Sequence, residues 1–336
     1  MIEMKLVTFR MHTENRLGCL VDQNVVDLTS AYALYLREVE GVDEPYLEAL
    51  QHIPPCMTGF LRLGEKSREA TSKTLEFVKN KDVESKAPNG ERILFRLGEV
   101  VLRAPVPRPG KIYALALNYQ SHAKEEGVLP FPEGNQLVPI VFYKPASSVI
   151  GPGDPIVIPR ISEKVDHEVE LAVVIGRKGK NISRHDAYEF VGGYTVFNDV
   201  SFRDLGFPNI SYYAWDFNWT KTKGLDNAAP MGPCLVLRDE IPVPYPLRLT
   251  LRVNGTTRQE GSTDEMAIRI PEIIEYLSMG TTLEPGDIIS TGTPGGVGLF
   301  SGRFLRPNDI VEAEVERIGI LRNPVIAERA GTSEEE

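Results

Sequence analysis

Three acidic residues within one short apolar stretch raise the first question about chemistry. Val165-Asp166-His167-Glu168-Val169-Glu170-Leu171-Ala172-Val173-Val174-Ile175-Gly176 is rich in β-branched residues and bounded by polar SEK and GRKGK, which reads as a strand. Side chains alternate along a strand, so Asp166, Glu168 and Glu170 are expected on one face and Val165, His167, Val169 and Leu171 on the other. Same-face neighbours lie about 6.6 Å apart, and at an effective dielectric near ~20 two carboxylates at that spacing repel by roughly 2.5 kcal/mol. In open water the repulsion falls about fourfold, so an exposed edge strand tolerates the ladder. The adjoining LAVVIG reads as buried on both faces, and a buried ladder needs a hard divalent cation or a salt-bridge network. Spacing alone leaves all three readings open.

A further oxygen ligand is available in Asp199, which closes the apolar run GGYTVFN. Before Val200-Ser201 it also reads as a turn or a helix N-cap. Nothing in the spacing brings it to Glu168. Elsewhere, Gly292 to Gly298 form a glycine-rich loop, but it lacks the Gly-Lys-Ser/Thr ending of a phosphate loop and the spacing of a dinucleotide fingerprint. No Gly-x-Ser-x-Gly elbow supports a serine hydrolase. His12, His52 and His185 have no acidic or cysteine neighbours at ligand spacing and read as structural.

The elements that must position these residues follow from the same reading. Over residues 4–28 short segments alternate apolar and polar, and residues 30–80 carry helical spacing in SAYALYLREVE and GFLRLGEKSREATSKTLEFVKN. The proline-rich stretch ending near Gly110 marks a boundary. Three units are expected: a small N-terminal α/β domain over 1–105, a catalytic domain over 106–325 and a tail over 326–336. The second is strand-rich, with KIYALAL, IVFYK, PIVIP, GPCLVL, LRLTLRV, DIISTGT and DIVEAEVERIG as strands, a type I′ hairpin at Asn254-Gly255 and one helix, IPEIIEYLSMG, ending at Gly280. The expected class is β-rich α+β, a mixed β-sandwich roll with the smaller domain attached.

Composition narrows the function. A net charge of −10 argues against a nucleic-acid binder. It does not exclude anionic substrates, because a bound cation inverts the local field. Three cysteines, Cys19, Cys56 and Cys234, are too few and too scattered for a disulfide framework or a zinc knuckle. The opening MIEMKLVTFRMHTENR lacks the apolar core of a signal peptide, and no run approaches a membrane span, so a cytoplasmic protein without membrane partners is expected.

Five motifs in consistent order resemble the fumarylacetoacetate hydrolase family over roughly residues 105–325. Leu117-Asn118-Tyr119-Gln120-Ser121-His122-Ala123-Lys124-Glu125 is similar to its Asn-Tyr-x-x-His-x-x-Glu segment, and His167-Glu168-Val169-Glu170-Leu171 to its Glu-x-Glu metal strand. Asn198-Asp199-Val200-Ser201-x-Arg203-Asp204 follows. Then come Lys223-Gly224-Leu225-Asp226-x-x-x-Pro230-x-Gly232-Pro233 and Thr291-Gly292-Thr293-Pro294-Gly295-Gly296-Val297-Gly298. The resemblance implies Mg²⁺ or Mn²⁺ held by Glu168, Glu170 and Asp199, and a base dyad of His122 and Glu125. It places Lys223 behind the metal, Tyr119 and Thr293 at the substrate, and a homodimer. An all-carboxylate set suits those hard cations better than Zn²⁺. One departure stands out: several hydrolytic members carry glutamine seven residues after the metal-binding aspartate, where this chain has Gly206, and the segment PNISYYAWDFNWTKT is unusually long and aromatic.

The expected substrate is a small 2-oxo acid, whose carboxylate and keto oxygens chelate one cation. The first reading is hydrolysis of a C–C bond in a 2,4-dioxo acid of the acylpyruvate or fumarylpyruvate type, with His122 as general base oriented by Glu125 and Lys223 stabilising charge. The second is isomerisation or decarboxylation of a 2-oxo diacid on the same metal. The third is a metal-stabilised binding protein without turnover.

Overall fold

The computed structural model describes residues 3–11, 13–128, 137–206 and 218–329. His12, most of the aromatic stretch (207–217) and the acidic end of the tail lie outside them. Two sheets dominate. The larger runs, edge to edge, through Leu94–Arg96, Asn24–Asp27, Glu14–Val21, Lys5–Met11, Ala229–Leu237, Val191–Asn198, Val169–Ile175, Ile288–Ser290, Ile112–Ala116 and Ile140–Tyr143. The smaller runs Thr256–Ser262, Arg248–Val253, Ile310–Val315, Gly319–Ala327 and Ile156–Ile158. This is the strand-rich sandwich expected from the alternating segments. The hairpin at Asn254-Gly255 has φ of 51° and 75°, the two positive values that a type I′ turn requires.

The strand Val169–Ile175 shows how the layers form, because every one of its residues is buried. Val169, Leu171, Val173 and Ile175 belong to the core shared with the five-stranded sheet, including Leu249, Leu251, Val311 and Ala313. Ala172 and Val174 belong to a second core against the helices Leu28–Glu38, Met57–Leu63 and Glu65–Val78. Gly64 separates the last two, where helical spacing ran on without a break. The N-terminal strands continue the large sheet: Lys5 pairs opposite Val236 and Leu6 opposite Leu235. The helix expected over IPEIIEYLSMG spans Ile270–Ser278, followed by Gly280 at φ 70°.

One correction concerns the acidic ladder. The strand is not continuous: Val165–Asp166 pairs with Ser201–Phe202, the chain leaves strand geometry at His167-Glu168, and Val169–Ile175 then joins the large sheet. Period-two alternation therefore fails across the break, and Asp166 does not join Glu168 and Glu170 as a third rung. Its carboxylate accepts from Arg203 Nε at 2.8 Å and from the backbone N–H groups of Gly298 and Leu299.

Candidate metal centre and active site

Register places the carboxylates. Val169 lies opposite Asn198 in an antiparallel ladder, so the next pair outward is Glu168 with Asp199, and the Asp199 N–H donates to the Glu168 carbonyl at 2.8 Å. Directly opposed residues share a face, as do Glu168 and Glu170, two apart. One oxygen from each of Glu168, Glu170 and Asp199 lies within 4.8 Å of the others, and all three residues are buried. The antiparallel ladder thus supplies the link between Glu168 and Asp199 that sequence spacing lacked.

Two lysines and an arginine answer this charge. Lys223 Nζ lies 2.7 Å from Glu168 Oε2 and 2.6 Å from Asp199 Oδ2. Arg203 donates to Glu168 Oε1. Lys144, which the sequence reading did not single out, lies 2.6 Å from Asp199 Oδ1, without the alignment of a hydrogen bond, and donates to the carbonyls of Val200 and Lys223. Its only signal in the sequence is a lysine ending an apolar strand, before Pro145. Burial pushes the Glu168 carboxyl up, but Lys223 and then Arg203 outweigh it and hold it below the ordinary carboxylate range. Burial likewise pulls the Lys223 ammonium down, while Asp199 and Glu168 more than restore it.

Glu170 behaves differently. Burial first, then the charges of Asp199 and Glu168, raise its carboxyl well above the ordinary range. Its Oε2 accepts from Ser290 Oγ at 2.5 Å and from Gly292 N at 2.8 Å, and no described lysine or arginine forms an ion pair with it. A buried carboxylate beside two others, lacking a cation of its own, fits a hard divalent ion, and the all-oxygen donor set points the same way. Calcium-like or magnesium-like ions suit it; a zinc site would draw on cysteine or histidine.

A cavity of about 330 Å³ opens onto this cluster, lined at its polar end by Glu168, Arg203, Lys223, His122 and Thr293. Leu115, Ile140, Phe142, Trp219 and Leu299 form its apolar wall, with the Phe142 and Trp219 rings stacked 4.6 Å apart. A larger depression of about 580 Å³, near Phe60, Gly176 and Arg238, lies beyond the other end of the ligand strand. Its charges are largely satisfied among themselves, as in Arg177–Glu189 and Lys178–Glu284.

The helix Gln120–Glu125 carries His122 on its buried side. Glu125 Oε2 is 3.6 Å from His122 Nδ1, looser than a hydrogen bond, while Oε1 accepts from Gly296 N at 2.8 Å. That tie needs a glycine: φ at Gly296 is 100°, and a Cβ there would stand 2.2 Å from the Arg258 carbonyl oxygen. Thr293 reaches the cavity with its hydroxyl engaged, donating to Val169 O at 2.8 Å and accepting from Gln259 Nε2 at 2.8 Å. Tyr119 is not brought to the cavity. Its ring is wholly buried in the main core, and that burial raises its phenol. Glu126 stands exposed at the cavity's rim.

Known proteins resemble this chain over most of its length. The family model described as fumarylacetoacetate hydrolase, C-terminal, matches residues 111–326. The chain is 37% identical to the oxaloacetate tautomerase YisK of Bacillus subtilis over 330 residues, 96% of this chain and 100% of that one. It is 39% identical to the human mitochondrial oxaloacetate tautomerase FAHD2A over 276 residues, 82% of this chain and 81% of that one. Among solved structures it resembles maleylpyruvate hydrolase from Sphingobium sp. SYK-6, in complex with manganese(II) and pyruvate. The TM-score there is 0.70, with 27% identity, 97% of this chain and 100% of that one covered.

Proposed function

This chain belongs to the fumarylacetoacetate hydrolase family, and we propose that it catalyses keto–enol isomerisation of a small 2-oxo diacid, of which oxaloacetate is the test case, with Mg²⁺ or Mn²⁺ as cofactor. One observation carries the proposal: His122, Arg203 and Lys223 line the same small cavity as the carboxylate Glu168, so a proton-transfer group and fixed positive charge face one bound molecule. Glu168, Glu170 and Asp199 would hold the ion. When bound, it supplies Lewis-acid stabilisation of an enolate.

The protein's own residues do the rest. Asp166 and Glu168 engage Nε and one Nη of Arg203, leaving the other Nη to face a substrate carboxylate. Lys223, held cationic by two carboxylates, offsets the negative charge that grows as the substrate enolises. His122 Nδ1 faces Glu125, which leaves Nε2 to carry a proton between the carbon beside the keto group and the keto oxygen, in either direction. The apolar wall of Phe142, Trp219 and Leu299 limits water near the enolate.

Full-length likeness to a tautomerase supports isomerisation over the hydrolysis first expected. Hydrolysis of a 2,4-dioxo acid is the second reading, favoured by the His122–Glu125 pair, which suits activation of water, and by the likeness to a hydrolase. The test follows enol absorbance of oxaloacetate and solvent deuterium at its methylene carbon, with and without metal, beside cleavage of an acylpyruvate panel. Metal-dependent, His122-dependent loss of enol without cleavage supports isomerisation. Cleavage of a dioxo acid with no effect on enol decay overturns it.

A further inference from the structure

Gln259 sits in the strand Thr256–Ser262 of the smaller sheet, the single buried residue of that strand. It is 1% exposed, yet its amide is fully employed. Oε1 accepts from the Val169 backbone N–H at 3.0 Å and faces His167 Nδ1 at 3.3 Å. Nε2 donates to Thr293 Oγ1 at 2.8 Å and to the Pro294 carbonyl at 2.9 Å. The orientation is unambiguous, because the Val169 N–H can only donate and the Pro294 carbonyl can only accept. One side of the amide therefore grips the strand that carries Glu170. The other grips the loop that closes the cavity.

The effect runs through Thr293. Gln259 donates to its oxygen, so the threonine proton turns to Val169 O, on the same residue whose N–H Gln259 accepts. Val169, Gln259 and Thr293 form a closed ring of hydrogen bonds at the point where the ligand strand loses its ladder. Beyond this ring the loop gives Gly292 N to Glu170 and Gly296 N to Glu125. We infer that Gln259 is a positioning residue that locks the Thr293–Pro294 loop to the metal-ligand strand and thereby sets the distance between the cavity wall and the carboxylate cluster. It touches no reacting atom; it acts through Thr293.

The inference rests on the proposed function only for its kinetic readout, so two independent measurements are made on Gln259→Met, Thr293→Val and the double variant. The first is amide hydrogen exchange, with the Ile310–Val315 and Gly319–Ala327 ladder as internal control. Exchange at Val169 and over 292–297 is expected to rise about tenfold or more in Gln259→Met while the ladder holds. The second is oxaloacetate kinetics, with KM rising about tenfold and kcat within about threefold, because loop placement and not proton transfer is lost. In the double variant the KM effects should fall short of multiplying, since both changes break one ring. Uniform exchange across the ladder, unchanged protection at Val169, or multiplicative effects overturn the inference. Should Gln259→Met fail to fold, exchange in Thr293→Val decides: protection at Val169 and over 292–297 must fall while the ladder holds, and unchanged protection there overturns the inference. If the wild-type enzyme does not act on 2-oxo acids but the exchange pattern appears, the positioning role stands and the functional reading falls.

Discussion

The ammonium of Lys144 lies 2.6 Å from Asp199 Oδ1, and both side chains are withdrawn from solvent. Burial pulls Lys144 down, and Asp199 only partly restores it. Such a pair contributes little net stability while intact, but losing Lys144 leaves Asp199 Oδ1 without a cation while Oδ2 keeps Lys223, at a cost of about 1–3 kcal/mol. Lys144→Met should therefore lower the melting temperature of the metal-free protein. A divalent ion supplies the missing positive charge, so the gain in Tm on adding Mn²⁺ should be larger for Lys144→Met than for the wild type. Calorimetric melts with and without metal decide it; an equal or smaller gain in the variant removes Lys144 as a charge partner of the centre.

Glu170 makes a second prediction through its proton. Its folded carboxyl is raised by burial and by Asp199 and Glu168, so without metal it stays protonated above the ordinary carboxylate range. For a group raised in the folded state, the contribution is fully present below the unfolded value, near about 4.3, and is lost as pH rises through the folded one. The metal-free protein should weaken across that window. Metal binding requires the ionised form, so it should release a proton from Glu170 and tighten as pH rises. Titration calorimetry at one pH in buffers of different ionisation enthalpy measures that proton, and a binding heat independent of buffer contradicts the prediction. Glu170→Gln should remove both the proton release and most of the affinity.

Much of this centre was legible in the residues, and what was not has identifiable physical causes. Glu168 and Glu170 stood out because two acids in an apolar strand are costly, and the strands, the Asn254-Gly255 turn and the Ile270–Ser278 helix followed from local patterning. Residue spacing did not join Asp199 to them; the family resemblance did, and the physical link is antiparallel register between two segments distant in the chain. Asp166 was misassigned because alternation presumes an unbroken strand, and nothing local announces the break at His167-Glu168. Lys144 and Gln259 escaped notice for another reason. A lone lysine or glutamine in a strand reads as a solvated position, and only the packing of other elements over it makes its polar atoms consequential.

Asp166 tests the correction directly. It accepts from Arg203, Gly298 N and Leu299 N, and lies outside the carboxylate cluster. Asp166→Asn should leave the metal dissociation constant within about threefold of wild type, while removing charge-assisted bonds worth about 1.5–3 kcal/mol. Arg203 and the wall residue Leu299 then lose a shared anchor, so KM should rise and Tm fall. A tenfold or greater loss of metal affinity with KM unchanged would add Asp166 to the ligand set.

His122 and Glu125 separate two ways of using a dyad. At 3.6 Å the Glu125 carboxylate is too far from His122 Nδ1 to fix the tautomer of the ring, and its other oxygen is tied to Gly296 N. If His122 alone moves the proton, His122→Ala should lower kcat for oxaloacetate isomerisation by about 10²–10⁴, the usual scale for a lost acid–base group. Glu125→Gln retains an acceptor for Gly296 N and should cost much less, about threefold to tenfold, mostly in KM through the loop. The two variants are compared by steady-state enol decay with saturating metal. Losses of equal size in kcat would mean that the residues act as a unit and that the gap closes once substrate is bound. That outcome would favour activation of water, and with it the hydrolytic reading, because orienting a water needs both groups where shuttling a carbon-bound proton needs one.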